Sequence, residues 1–378
     1  MSDSTEVDAI VRSLFKVKDA YSLEGGSGEY SVVYEEGSRR AFRALYEKVR
    51  PLGYTPRIFG TRDDASLSVL KAEPVKARTP RASLFLGLLS VVAILVAGGA
   101  LGLSYAHYFG GSALLDGASF VLGVAAVLLS RHLVQRRFAR RAGDVSTLHY
   151  YLPNIPVFLA LPVLYYLPTF GAITFVRSPA YDRDSLFDFY LWGSVAAAAI
   201  AMVVALAGVS STIVLSQAQY VSIFGTAGQG VLNHDASVLQ DLATTAMSAL
   251  NLAPSVPSGG YAFLSPLSTA AWVGFLLALF GLMPAALFDG GRMATLILGT
   301  RGSRITTLAT AFALVTIDSP NYWVVFLLLF LLAAVQPSND TLDSISGISR
   351  SRKVLFILAM GLVIACIPVP QTIFTFPI

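Results

Sequence analysis

Only one cysteine, Cys366, and four histidines occur among 378 residues, and charged side chains make up just 13% of the chain. A single cysteine excludes an intramolecular disulfide, a cysteine zinc site and a dithiol redox motif. So few charges, beside 54% hydrophobic residues and a mean hydropathy of +0.64, exclude an ordinary soluble globular protein. Internal repeats and low-complexity arrays are also missing. The two apolar halves share no alignable motif, which counts against an inverted-repeat transporter. The opening "MSDSTEVDAIVRSLFKVKDA" is polar and acidic and has no apolar signal core, so no cleaved signal peptide is expected.

What is present points to a polytopic helical membrane protein. The net charge of +4 and pI of about 9.1 come from basic residues beside apolar runs. That is the pattern of helix ends retained in the cytoplasm, so the lipid bilayer, not nucleic acid, is the expected partner. Residues 1–80 read as a separate soluble α+β domain. Within it, "YSVVY" at 30–34 and "SLSVLKAE" at 66–73 alternate as strands, and "RRAFRALYEKVRPLG" at 39–53 has helical spacing through Ala41, Leu45 and Val49. Residues 81–378 form the membrane domain.

Apolar runs at 83–106 and 114–135 are each long enough to cross a bilayer and are separated by a Gly-rich turn. Lys71, Lys76, Arg78 and Arg81 precede the first, and Arg136, Arg137, Arg140 and Arg141 follow the second, predicting a hairpin with both ends inside. The segment 153–173 carries four prolines and reads as irregular or re-entrant. Further spans are expected at 188–214, 267–288, 304–317, 321–336 and 353–368, with a polar stretch at 215–264 on the outside. The expectation is therefore about seven spans, one irregular segment and a cytoplasmic amino terminus, in the cell membrane.

Two stretches carry chemistry. One is "VLLSRHLVQRRFARR", 127–141, where Arg131 and His132 stand inside an apolar run. The other is "FGLMPAALFDGG", 280–291, where Asp289 lies at the end of a long apolar segment between Pro284 and the pair Gly290–Gly291. An ionisable residue in a span is costly and is by default a functional candidate. The plainer alternatives stay open: Asp289 caps a helix starting near Arg292 at the membrane edge, and Arg131 snorkels to the surface at the head of the basic cluster.

The segment from Gly281 through Pro284 to Asp289 and Gly290 resembles the N-x-x-P-x-x-x-x-D-G motif of the site-2 proteases, intramembrane zinc metalloproteases, in which the aspartate is the third zinc ligand. "TFGAITFVRSPAYDRDSLFDFYLWG" (169–193), "VQPSNDTLDSISGISRSRKVLFILAM" (335–360) and "AFRALYEKVRPLGYTPRI" are similar to segments of the archaeal and plastid-type branch. The resemblance implies that branch's fold and a His-Glu-x-x-His helix before this region. There two histidines four apart bind zinc and the glutamate is the general base. Aligning "FARRAG", 138–143, with the family puts the first histidine at Arg131, the glutamate at His132 and the second histidine at Gln135.

All three are replaced. An arginine has no lone pair to offer and a lone glutamine oxygen is a poor zinc ligand. A one-residue slide leaves Leu133 as the base and Arg136 as a ligand, and His107, His149 and His234 have no partner at ligand spacing. The motif's asparagine is Gly281, and a Gly-Pro-x-x-Gly pattern reads "GSVAA", 193–197. The expectation is a pseudoprotease without zinc that binds single-span membrane-protein segments, with Arg131 and Asp289 as an ion pair in which the guanidinium takes both carboxylate oxygens. The alternatives are an active zinc protease, with Asp289 as a ligand, and a transporter or channel.

Overall fold

The computed structural model describes residues 2–23, 27–72, 80–154, 167–225, 236–256, 258–285, 287–317 and 339–368. The amino-terminal unit consists of α1 (Ser2–Leu14), β1 (Val17–Ser22), β2 (Gly28–Val32), α2 (Ser38–Val49), β3 (Tyr54–Gly60) and β4 (Ala65–Lys71). Its strands form an antiparallel sheet in the order β1-β2-β4-β3. Helix α2 forms because Phe42, Leu45, Tyr46 and Val49 recur at one face of a 3.6-residue period. That stripe buries against alternate strand residues such as Tyr30, Val32, Ile58 and Leu67, while α1 adds Val7 and Val11. The sequence pattern shows α2, β2 and β4. It leaves α1, β1 and β3 unmarked.

The expected hairpin is built from α3 (Arg81–Phe109) and α4 (Ala113–Arg141). Gly110 and Gly111 turn it at φ 75° and 101°, a backbone region open to glycine. The helices cross at small residues: a Cβ on Gly102 would strike Ala113's carbonyl and lie 2.7 Å from the Gly117 amide. Then follow β5 (Thr147–Pro153), β6 (Thr169–Val176) and α5 (Arg183–Val209). Helices α3, α4 and α5 are each long and apolar enough to cross a membrane.

Strands β5 and β6 pair antiparallel, so the described ends of the proline-containing segment are strands. Its middle, 155–166, lies outside the described residues. The polar stretch at 215–264 carries α6 (Gln217–Phe224) and α7 (Val238–Ala249). Strands β7 (Ile213–Leu215) and β8 (Tyr261–Phe263) pair at its two ends.

The span expected over 267–288 divides. Helix α8 (Pro266–Leu282) stops at Leu282, Met283 takes an extended conformation, and a new helix, α9 (Asp289–Ile317), begins at Asp289. Pro284 disfavours helix at Met283 and lacks the amide a continuing helix needs. All of α8 except Leu267 is buried, as befits a helix apolar all round. Helix α9 breaks at Gly299 (φ 72°) and contains the expected 304–317 run. The 321–336 run lies outside the described residues, and 353–368 falls in α10 (Arg350–Cys366), 17 residues long.

Charged contacts clamp the amino-terminal unit to the membrane part. Arg39 meets Asp182 at 2.9 Å and Asp184 at 3.0 Å, and Arg43 donates to Ser185 at 2.8 Å. Arg50 and Tyr46 donate to the Gly143 carbonyl at 2.6 and 3.2 Å, in the turn between α4 and β5. The Ile58 amide donates to the Leu342 carbonyl at 2.9 Å, and the Ser344 amide donates back to Ile58.

Burial works against ionisation of Asp182, but the Ser185 amide and the Arg39 guanidinium outweigh it and hold the carboxyl below its ordinary value of 3.8. A depressed carboxyl stabilises the folded side of its equilibrium above the ordinary value, and the contribution is lost as pH falls through the lowered one. Hydrogen exchange at β3 and at Leu342, taken relative to the rate of an unstructured chain at the same pH, is therefore expected to stay slow from pH 7 down to about 5 and to quicken below about 4. Arg39→Ala is expected to quicken it at neutral pH. Exchange indifferent to both changes would show that these charges do not hold the two parts together.

Candidate functional site

Arg131 and Gln135 lie four apart on α4 and so share a face, and both are buried. That face meets the first residue of α9. Arg131 Nη2 and Gln135 Nε2 each donate to Asp289 Oδ2 at 2.8 Å, and Arg131 Nη2 also lies 3.3 Å from the Ala172 carbonyl on β6. The carboxylate is 1% exposed and the guanidinium side chain 7%. Arg131 therefore does not snorkel, and Asp289 does not mark an exposed helix edge. The guanidinium takes one carboxylate oxygen and not the expected two. Among the described residues, Asp289 Oδ1, Arg131 Nε and the nearby Ser194 Oγ have no hydrogen-bond partner.

Missing side chains make room for this cluster. A Cβ at Gly193 would run into Gln135 Cγ. One at Gly281 would strike Ser194 Oγ and lie 3.8 Å from the Arg131 guanidinium carbon. Ser194 and Arg131 thus fill the space that an asparagine at position 281 would need. Gly171, at φ 87°, lets β6 pass Arg131 Nη1, which lies 3.2 Å from where its Cβ would be. Gly290 is required because a Cβ there would strike the carbonyls of Leu282 and Met283 across the helix break. Gly291 and Pro284 shape the same corner: Ser303 donates to the Gly291 carbonyl at 3.2 Å, and Pro284 sits in the break.

Asp289 also stands at the positive end of the α9 dipole, which favours a carboxylate there. One turn on, Arg292 is buried between the rings of Phe175 and Tyr190, 5.4 and 5.6 Å from their centroids, and donates to the Tyr190 hydroxyl at 3.3 Å. Sequence reading missed Arg292, Tyr190 and Ser194. The signal for Arg292 was a second charge inside the same apolar segment.

His132 lies against His149, with ring centroids 5.4 Å apart, and the two line a small cavity together with Arg131, Gln135 and Ala172. Sequence spacing gave His149 no partner. The β5–β6 register sets it opposite Thr174 and folds it over α4. Its two ring nitrogens lie 3.3 Å from Thr147 Oγ1 and 3.1 Å from Thr174 Oγ1. Burial, and then the charges of Arg131 and His132, push its pKa down to about 4, so it is neutral at physiological pH. His107 ends α3 on the exposed side, and His234 lies outside the described residues.

Zinc needs three or four donors with free lone pairs. Here the one carboxylate oxygen that faces the α4 side chains already accepts two hydrogen bonds, and one of its neighbours is a permanent cation. Among the described residues, no three His, Cys, Asp or Glu side chains come together as a metal-binding set. The described residues do not fit zinc.

Removing one member of a buried pair strands the other charge. Arg131→Met and Asp289→Leu are each expected to cost roughly 3–5 kcal/mol in unfolding experiments in mild detergent, while the double variant recovers much of the loss. Losses that simply add would show that the two side chains do not interact energetically.

Comparison with known proteins found no family model and no solved structure that matches. Two curated plant proteins do match, each called "Probable zinc metalloprotease EGY2, chloroplastic", from Oryza sativa subsp. indica and Oryza sativa subsp. japonica. Each is 24% identical to this chain over 261 residues, 68% of its length, and the match covers 44% and 43% of the two relatives. The chain thus spans less than half of either relative. Its likeness to these zinc metalloproteases is distant, and it supports the site-2 protease family that the motifs around Asp289 suggest.

Proposed function

We propose that this chain is a site-2-protease-like membrane protein of the archaeal and plastid-type branch whose zinc centre has been replaced by a cluster of Arg131, Gln135 and Asp289. It is a pseudoprotease that holds single-span membrane-protein segments and does not cleave them. About seven spans carry it in the cell membrane, with the amino-terminal unit and the basic helix ends in the cytoplasm.

The observation that carries this reading is the occupancy of Asp289 Oδ2 by Arg131 and Gln135. Peptide hydrolysis at such a centre needs a Lewis-acidic metal and a base beside its bound water. At the corresponding positions stand a guanidinium, an imidazole turned toward His149 and an amide. None of the three can take up those roles in this geometry. Segment binding needs neither, because it rests on packing and on strand or helix contacts.

The test is to restore the motif. The wild-type protein, purified without chelator, is expected to contain far less than one zinc per chain. The triple variant Arg131→His, His132→Glu and Gln135→His is expected to bind about one zinc that the added Asp289→Ala removes. Near-stoichiometric zinc in the wild type, lost on Asp289→Ala, would overturn the reading and point to an active protease.

A further inference from the structure

Helix α4 carries a second feature that the cluster at Asp289 does not use. On its outward face, Leu122, Leu129 and Leu133 are exposed, and Arg136 and Arg140 continue the same line at spacings of seven, four, three and four. At 100° per residue these five side chains form a single stripe, apolar along the span and cationic over its last two turns. Arg136 and Arg140 also line an open cleft of about 880 Å³, solvent at its mouth included, between α4 and β5, with His132, Gln135, Thr147 and His149 on the other walls. No carboxylate lies within salt-bridge distance of either arginine among the described residues. The one acidic residue at the cleft, Asp144, is turned to Arg50 at 3.5 Å.

We propose that this cleft holds the headgroup phosphate of an anionic membrane lipid, between Arg136 and Arg140, with the acyl chains laid along the leucines of α4. Its level in the bilayer supports a lipid over a soluble anion. The cleft is walled by β5, whose His149 carbonyl accepts from Ser83 at 2.6 Å in the first turn of α3, so it opens at the membrane surface where α3 enters. Leu84, Phe85 and Leu88, in the first two turns of α3, are exposed. The end of α4 carries the negative half-charge of its dipole, but two full guanidinium charges outweigh it. The Thr147 hydroxyl on the facing wall adds a further donor suited to a phosphate oxygen, with Arg as the forked donor. A zwitterionic headgroup would bring its own cation against the arginines, so the site favours a net negative lipid.

The full chain in detergent is titrated with phosphatidylglycerol, phosphatidylcholine or inorganic phosphate, and lipid retention is read by native mass spectrometry and by the shift in Tm. Phosphatidylglycerol is expected to bind, and Arg136→Gln with Arg140→Gln is expected to weaken it about thirtyfold. The pair Arg137→Gln with Arg141→Gln removes the same charge from outside the cleft and is expected to change it less than about threefold. Arg136→Lys with Arg140→Lys is expected to restore most of the binding. Equal losses in the two glutamine pairs would show general attraction to the surface and overturn the site. Inorganic phosphate that binds as well as phosphatidylglycerol would overturn the lipid as its occupant.

Discussion

A guanidinium and a carboxylate buried side by side constrain everything around them. Either charge alone in an apolar span would be driven out or neutralised, and the two are tolerated because each offsets the other's lost hydration. Arg131 and Asp289 come from α4 and α9, far apart in sequence, and meet at 2.8 Å. To bring them there the chain must break between Leu282 and Asp289, start a helix on the carboxylate and keep side chains away from the point of contact. Glycine at 171, 193 and 281 meets the last requirement, and glycine at 290 permits the break. The same positions explain why a change that looks conservative, such as glycine to alanine at 193 or 290, would be felt at the charged centre.

The electrostatics of the centre differ in kind from those of a metal site. A divalent cation gathers several donors around one point, whereas here one carboxylate oxygen collects two planar donors, and Arg292 adds a second cation a turn away on its own helix. The arrangement leaves Asp289 Oδ1 and Ser194 Oγ without partners among the described residues, so the pocket is polar but not filled by hydrogen bonds. Around it, α8 supplies an apolar axis buried on all sides, and the amino-terminal unit grips the start of α5 and the turn at Gly143. The charged centre and the clamp thus both act on the C-terminal part of α4: Arg131 is held from within the bundle, and the turn just past Arg141 is held from outside it.

The sequence made much of this legible where the signal was local. Long apolar runs marked α3, α4 and α5, and the spacing of Phe42, Leu45, Tyr46 and Val49 marked α2. The spacing of Arg131 and Gln135 told which α4 side chains share a face. Long-range pairing hid the rest. The break after Leu282 escaped notice because the apolar pattern runs through it unchanged, and only Pro284 hinted at a stop. His149 seemed isolated because its neighbour, His132, is reached through a β-strand that folds back over the helix. The contacts of Arg39 with Asp182 and Asp184 join ordinary surface charges more than a hundred positions apart, for which periodicity offers no clue.

The central claim is that a guanidinium stands where a zinc ion would be. It is tested most directly by an anomalous difference map at the zinc edge from crystals of the wild-type protein grown with zinc in the medium. The expected map shows no peak within bonding distance of Asp289 and continuous density from Arg131 to its carboxylate. A strong peak about 2 Å from an Asp289 oxygen, with Arg131 displaced, would contradict it.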